Sequence, residues 1–486
     1  MVIVILLVVF DGLRPDQVTS SGTPALWELA RRGVRSLNHH SVYPTLTRVN
    51  VSSMFTGCYP TRHGVVGNSI YRPDVDPSWE ISTGHQPDLV RLSELLGRGV
   101  MTAPTLGEVL HANGKTMTAL GVGSSGNTFL HHPEAGSVGG AIVHPEFTVP
   151  DSLAAELNER FGPWPAAGVP NQHRIVRAVT VLIEYLLPVY APAVATLWMS
   201  DPDSAHHKTG IGSRQSVDSI RLADEQLARV IAHIEKQGMA DETDIIVVSD
   251  HGHSTVKEVI DVRGFLVEAG AKDSTDSTDV LVAHNGGSAL IYMPGADGRR
   301  VADVTGLLMR QTWCGPVFSR AGPDGVPGSI PLSSIGYDHP TSPDIVLSFA
   351  WDADVNQNGV RGNVYSCGEV GVGLGNHGSA SPYEVRNTLV AAGPHFKSGV
   401  TSMAPTSNAD AFPTILRILG LESDSPVDGR VIEEALVGGP EPDEVFVSTS
   451  VLEGTAMLGD LTYRQEIQVS RVGNTTYMDK GRASRS

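Results

Sequence analysis

The sequence predicts an α/β fold, a mostly parallel central sheet with helices on both faces, and three observations carry that prediction. Short, largely apolar runs at 2–10 (VIVILLVVF), 193–199 (AVATLWM) and 244–249 (DIIVVS) have the character of strands covered on both sides. Each run is followed by aspartate: Asp11, Asp201 with Asp203, and Asp250. Between the runs lie amphipathic helical patterns, TPALWELARRG from Thr23, DSLAAELNERFG from Asp151 and SVDSIRLADEQLARVIAHIEKQG from Ser216. Alternating strands and helices imply an open sheet. Ligands of such sheets gather outside the carboxyl ends of the strands, which is where these aspartates fall.

The chain has 486 residues, long enough for a large core and more than one compact unit. Its formal net charge of -18 argues against a nucleic-acid polymer as partner, because such binding needs a cationic surface to release phosphate counterions. Three cysteines, Cys58, Cys314 and Cys367, are an odd number and give no disulfide framework, so a reducing compartment is the simplest expectation. The opening run lacks a basic leader and a cleavage site, and Asp11 ends it too early for a signal peptide. It reads as a buried strand and the protein as cytoplasmic; a leader removed ahead of Met1 would make it periplasmic or secreted. The segment from Val176 to Met199 has the length of a membrane span but contains Arg177, Glu184, Pro188 and Pro192, so a helix followed by a strand is expected.

Residues 258–368 are rich in Gly, Pro, Asp and Ser, with turns at GADGRR, AGPDGVPGS and DADVNQNG. They are assigned to an inserted cap subdomain, between two parts of an α/β core at 1–257 and 369–440. In the second part NTLVAAG is a strand and SNADAFPTILRILGL a capped helix. Residues 441–486 alternate in polarity and are expected to form a strand-rich extension.

The chemistry lies in the aspartates and histidines that follow the strands. Asp250 and His251 are adjacent, Asp203 and His207 are four apart, and His377 sits in the glycine-containing LGNHGSASPYE. Carboxylate and imidazole donors with few thiols suit zinc, and less selectively manganese or iron. Any one of these aspartates alone would pass for a helix cap or turn residue, and any one histidine for a structural one. Their joint placement is the argument.

The ordered segments FDGLRPD, YPTLTRVNVSSMFTGCYPTRHGVVGN, SDPDSAHHKTG, VSDHG and GNHGSASPYEVRNTLVAAGPHFK resemble those of the alkaline phosphatase superfamily, and most closely its nucleotide pyrophosphatase/phosphodiesterase branch. The resemblance spans roughly residues 3–420. It implies an alkaline phosphatase-like fold and two metal ions, preferentially zinc. Asp203, His207 and His377 match the ligands of one ion; Asp11, Thr47, Asp250 and His251 match those of the other. Thr47 matches the nucleophile, and Asn68 the asparagine that holds a nonbridging phosphoryl oxygen. The implied activity is hydrolysis of phosphodiesters or nucleotide pyrophosphates through a phosphothreonine, with a small phosphate ester as substrate. A threonine hydroxyl needs such activation, being a poor nucleophile by itself.

The sequence departs from the branch where His206 replaces the usual glycine, and where Arg48 follows the nucleophile in place of an aromatic residue, ahead of Val49, Asn50 and Val51 instead of P-N-H. If Arg48 faces the pocket it favours an anionic substrate; if not, it is a solvated helix residue. Within the superfamily a phosphomonoesterase, with Arg48 or Lys208 as the extra cation, and a phosphonoacetate-type carbon–phosphorus hydrolase stay open. Outside enzymology the alternative is a noncatalytic metal-bound interaction protein. Thr45 is a second hydroxyl near the nucleophile, which Thr47 itself could instead serve as an N-cap. Cys58, in Cys-Tyr-Pro-Thr-Arg, imitates a sulfatase core but lies inside the later FTGCYPTRHG segment, so it reads as a small buried residue.

Overall fold

The computed structural model describes residues 4–486. Residues 2 and 3 of the first apolar run lie outside the described residues; the rest of it forms the strand Val4–Phe10, buried at every position. Its side chains alternate between two cores. Val4, Leu6, Val8 and Phe10 enter one, and Ile5, Leu7 and Val9 the other, as a period of two requires of a strand covered on both faces. The first core is closed by the helices Pro24–Arg32, Ser152–Phe161, Gln172–Val181 and Arg214–Lys236; the second by Thr47–Thr56, Gln86–Leu96, Leu106–Ala112 and Ala411–Leu419.

Val4–Phe10 lies near the middle of a ten-stranded sheet, paired in parallel with Val194–Met199 on one side and Thr243–Val248 on the other. Met117–Gly121 and Ala141–His144 continue the parallel run beyond Val194–Met199. Arg386–Ala392 inserts between Thr243–Val248 and Val34–His40, antiparallel to both. The segment from Val176 to Met199 resolves as expected: helix Gln172–Val181 continues through a wider turn at Leu182–Leu186 to Leu187–Tyr190, and the strand Val194–Met199 follows. Among the described residues no helix is long and apolar enough to cross a membrane.

A separate five-stranded sheet is made of Leu281–Asn285, Ser288–Tyr292, Ile345–Phe349, Cys314–Ser319 and Ile330–Pro331. Ser254–Val259 pairs with Arg361–Ser366 and Gly375–Asn376 in a smaller sheet, which carries the chain from one part of the site to another. The strands Ser448–Leu458, Leu461–Val472 and Thr475–Arg485 form an antiparallel ribbon. It is tied to the five-stranded sheet by Gln465, which accepts from the Val317 N–H at 2.7 Å and donates to the Val317 carbonyl at 2.9 Å. His40, at the end of Val34–His40, meets Asp479 of the same ribbon at 3.0 Å.

Candidate active site and metal centre

The site forms where the parallel strands end. Asp11 follows Val4–Phe10 directly, and its N–H still donates to Met199 of the neighbouring strand at 3.1 Å. Gly12 then turns the chain with a positive φ of 73° and donates its N–H to Asp250 Oδ1 at 3.0 Å, coupling two strand ends. Asp203 opens the helix Asp203–Thr209, and His207 lies one turn later on the same face. His377 follows the short strand Gly375–Asn376. Thr47 is the first residue of Thr47–Thr56, with Leu46 in the capping position; Thr47 is not an N-cap, and its hydroxyl is free for other work.

Two clusters of donor atoms result. Asp203, His207, His253 and His377 each offer an atom within 4.8 Å of the others, and so do Asp11, Asp203 and His251. Asp203 Oδ1 is the common point, 3.0 Å from His207 Nε2, 2.9 Å from His253 Nε2 and 3.6 Å from His377 Nε2. His251 Nε2 lies 3.1 Å from Asp250 Oδ2, 3.6 Å from Asp11 Oδ1 and 3.1 Å from Thr47 Oγ1. The rings of His251 and His377 stack with centroids 3.5 Å apart. All seven expected ligands, Asp11, Thr47, Asp203, His207, Asp250, His251 and His377, therefore converge on one place, with Asp203 shared between the two clusters.

The donor set fits a cation. His207, His251 and His377 each turn Nδ1 to a backbone carbonyl, of Gly375 at 2.7 Å, Gly252 at 2.9 Å and Thr45 at 2.7 Å. Those bonds place the proton on Nδ1 and leave three Nε2 lone pairs facing carboxylates. Asp11 Oδ2 accepts from Trp198 Nε1 at 2.8 Å, but its buried Oδ1 has no donor. Burial, then the charges of Asp250 and Asp203, push the Asp11 carboxyl well above the usual range. Burial also opposes ionisation of Asp203, but the positive charge and Nε2–H bonds that His207 and His253 present when protonated outweigh it and hold that carboxyl well below its usual range. Burial and the neighbouring His251 push the His377 imidazole well down. Lone pairs and carboxylate oxygens this close repel one another unless a positive charge lies among them, which a divalent ion provides.

Beside the clusters, Asn68 Oδ1 accepts the Arg48 backbone N–H at 3.1 Å. The Asn68 N–H is held in turn by Asn285 Oδ1 at 2.8 Å, so the five-stranded sheet reaches across to fix the loop that carries Asn68. The Arg48 side chain turns inward rather than to solvent. A Cβ at Gly84 would come within 2.9 Å of Arg48 Nη2, and the buried Arg48 Nε has no partner. Burial pulls the guanidinium's pKa down, and Asp11, Asp203 and Asp250 counteract it.

Comparison with known proteins follows the same lines. Residues 5–368 match the family described as type I phosphodiesterase / nucleotide pyrophosphatase. The chain belongs to that family. Among relatives of this phosphodiesterase-family chain, the mouse bis(5'-adenosyl)-triphosphatase enpp4 is 22% identical over 433 residues, 86% of this chain and 78% of that protein. Rat ectonucleotide pyrophosphatase/phosphodiesterase family member 1 is 25% identical over 252 residues, 51% of this chain; the match spans only 24% of the rat protein's length. The solved structure of murine ectonucleotide pyrophosphatase/phosphodiesterase 5, an inactive variant in complex with AMP, superposes with a TM-score of 0.63 at 18% identity, covering 89% of this chain and 99% of that one. That likeness shows the same fold.

The remaining candidates of this family member separate cleanly. Thr45 Oγ1 donates to the Ser379 carbonyl at 3.0 Å and accepts the Gly378 N–H at 2.9 Å, so it braces the loop that carries His377. Cys58 is buried with its thiol pushed up to about 11, first by burial and then by Asp428, which makes it a packed residue and not a reactive one. His206 turns Nδ1 to Ser216 Oγ at 2.9 Å, and Lys208 is exposed. Asp201 stands outside both clusters, bonded to the Asn171 N–H at 2.7 Å. His253 and Asn285 belong to the site but are not apparent from sequence. The one available signal was the spacing His251-Gly252-His253, which by itself reads as a turn.

Proposed function

We propose that the chain hydrolyses phosphate esters, chiefly phosphodiesters or nucleotide pyrophosphates, through a covalent phosphothreonine at Thr47, with two zinc ions bound. The observation that carries this reading is the Thr47 hydroxyl, 3.1 Å from His251 Nε2 at the edge of the carboxylate cluster and next to the Asn68–Arg48 pair. Asp203, His207 and His377 would hold one ion, and Asp11, Thr47, Asp250 and His251 the other. Such a pair of ions supplies charge stabilisation for the attacking and departing oxygens of an in-line displacement.

The residues then divide the work. Thr47 Oγ1 gives up its proton to solvent and forms a bond to phosphorus as the ester P–O bond breaks and its electron pair leaves with the alcohol or phosphate. Water attacks the same phosphorus in the second step, breaking the bond to Oγ1 and releasing phosphate or a phosphomonoester. With Oδ1 engaged by Arg48 N–H, Asn68 has Nδ2 left to donate to a nonbridging oxygen as charge grows on it. The relatives, a bis(5'-adenosyl)-triphosphatase and a pyrophosphatase/phosphodiesterase whose inactive variant is solved in complex with AMP, support nucleotide substrates for this chain.

One observation favours a second reading. The inward Arg48, with a buried and unpartnered Nε, suits the extra charge of a phosphomonoester. Turnover of matched aryl phosphodiester, phosphomonoester, sulfate and phosphonate substrates separates the readings. Elemental analysis should find about two zinc ions per chain by the two-site logic, and exhaustive chelation should abolish turnover. Full activity in metal-free protein would sink both readings.

A further inference from the structure

His253 takes no part in the two-ion division of ligands proposed above, yet it is as deeply set as any residue that does. It has no exposed surface, and its Nε2 is the atom nearest to Asp203 Oδ1 of the three imidazole nitrogens, at 2.9 Å against 3.0 Å for His207 and 3.6 Å for His377. Its ring centroid lies 5.1 Å from that of His207 and 5.1 Å from that of His377. The four donor atoms thus surround one point. Zinc bonds of about 2.0–2.1 Å to nitrogen and oxygen put neighbouring corners of a tetrahedral shell about 3.3 Å apart, and the three separations from Asp203 Oδ1 bracket that edge.

The local backbone is built to admit the ring. Gly12 follows the metal-facing Asp11, and a Cβ there would stand 2.7 Å from both Cδ2 and Nε2 of His253, with Asp203 Cβ at 3.2 Å. Any side chain at position 12 would push the imidazole out of the cluster. On the far side His206 packs edge-on at 4.8 Å between centroids, filling the space behind His253.

We infer that His253 is a fourth protein ligand to the ion held by Asp203, His207 and His377, giving that ion one carboxylate and three imidazoles. The inference rests on the two-ion reading of the site. Four protein donors close a tetrahedral shell that three leave open, whereas the other ion counts the weakly donating Thr47 hydroxyl among its four, so this ion is the more firmly held of the two. Three neutral imidazoles also favour later divalent metals such as zinc and cobalt over manganese. Water enters this ion's shell only as a fifth ligand.

A crystal structure of the full chain grown with Zn2+ alone, with anomalous data at the zinc edge, tests the inference directly. The expected result is an ion about 2.0–2.1 Å from His253 Nε2 as well as from Asp203, His207 and His377. An ion bound by those three with His253 beyond 3 Å, hydrogen-bonded to the back of Asp203, overturns the inference and leaves the proposed function standing. No zinc at Asp203 overturns both. In solution, the wild-type protein should release zinc to a competing chelator in two steps at least tenfold apart. His253→Ala, and His253→Asn should the alanine variant fold poorly, should bring the tighter step down at least tenfold. An unchanged tighter step counts against ligation by His253.

Discussion

The side chain of Asn68 accepts the backbone N–H of Arg48 at 3.1 Å, which locks that amide to the first turn of the helix that begins with Thr47. Asn68→Ala removes both the brace and the free Nδ2, and should lower kcat by about 10-fold to 1,000-fold, the usual cost of one oxyanion contact. Asn68→Asp keeps an acceptor for the Arg48 N–H but replaces the donor with a repelling oxygen. It should lose at least as much. Near-normal kcat in the aspartate variant would assign Asn68 to bracing alone.

Thr47→Ala should abolish most turnover while the fold and most of the bound zinc persist, since on the proposed division three other protein ligands would remain at that ion. Intact-mass analysis after rapid quenching of the wild-type enzyme should find phosphate on Thr47. Thr45→Val is a contrasting case. It breaks the bonds to Ser379 and Gly378 and should cost about 1–3 kcal/mol of stability, seen as a lower Tm, with phosphate still arriving at Thr47. Formylglycine at Cys58, or phosphate on another residue, contradicts the assignment.

Arg48→Ala should lower kcat/KM for anionic substrates selectively, by as much as tenfold for about 1.4 kcal/mol of lost transition-state binding. A neutral aryl diester gains less from the guanidinium and should lose less. Equal losses on both would mean that the Arg48 side chain supports the helix or the nucleophile instead, since alanine keeps the backbone N–H that Asn68 accepts.

Stability should fall in acid, and His131 offers a measurable share. The ring is buried between Phe55 and Trp198, with centroids 5.0 Å and 5.1 Å away, and burial, reinforced by His144 and His132, lowers its pKa from 6.5 to about 3. Between those values the unfolded chain binds the proton and the folded chain does not. The contribution is therefore fully present above 6.5 and is lost as pH falls toward 3, at about 1.4 kcal/mol per pH unit, or about 2 kcal/mol by pH 5. Replacing His131 by Phe together with Thr196 by Val, which removes both ends of the 3.2 Å bond between them, should flatten urea-derived stability between pH 7 and pH 5 by that amount. An unaltered slope would place the acid sensitivity elsewhere.

The strands and their terminal aspartates are legible in the sequence because a strand covered on both faces must be apolar throughout, as Val4–Phe10 is, and the chain turns polar where the cover ends. The helices Pro24–Arg32, Ser152–Phe161 and Arg214–Lys236 are legible from their stripes. Direction is not legible. Arg386–Ala392, apolar from Leu389 to Ala392, inserts between Thr243–Val248 and Val34–His40 antiparallel to both, because burial constrains which faces are covered and not which way the chain runs. The inward turn of Arg48 depends on Gly84, 36 positions away, and the fixing of Asn68 on Asn285 of another sheet. His253 enters the cluster because Gly12 leaves it room. Such contacts join residues that no local period relates.

The site draws on strand ends and loops from Asp11 to His377. On the proposed reading, a polypeptide leaving the ribosome thus carries Thr47 long before the last imidazole has been made, and the site is complete only once the loop of His377 docks on the carbonyl of Thr45.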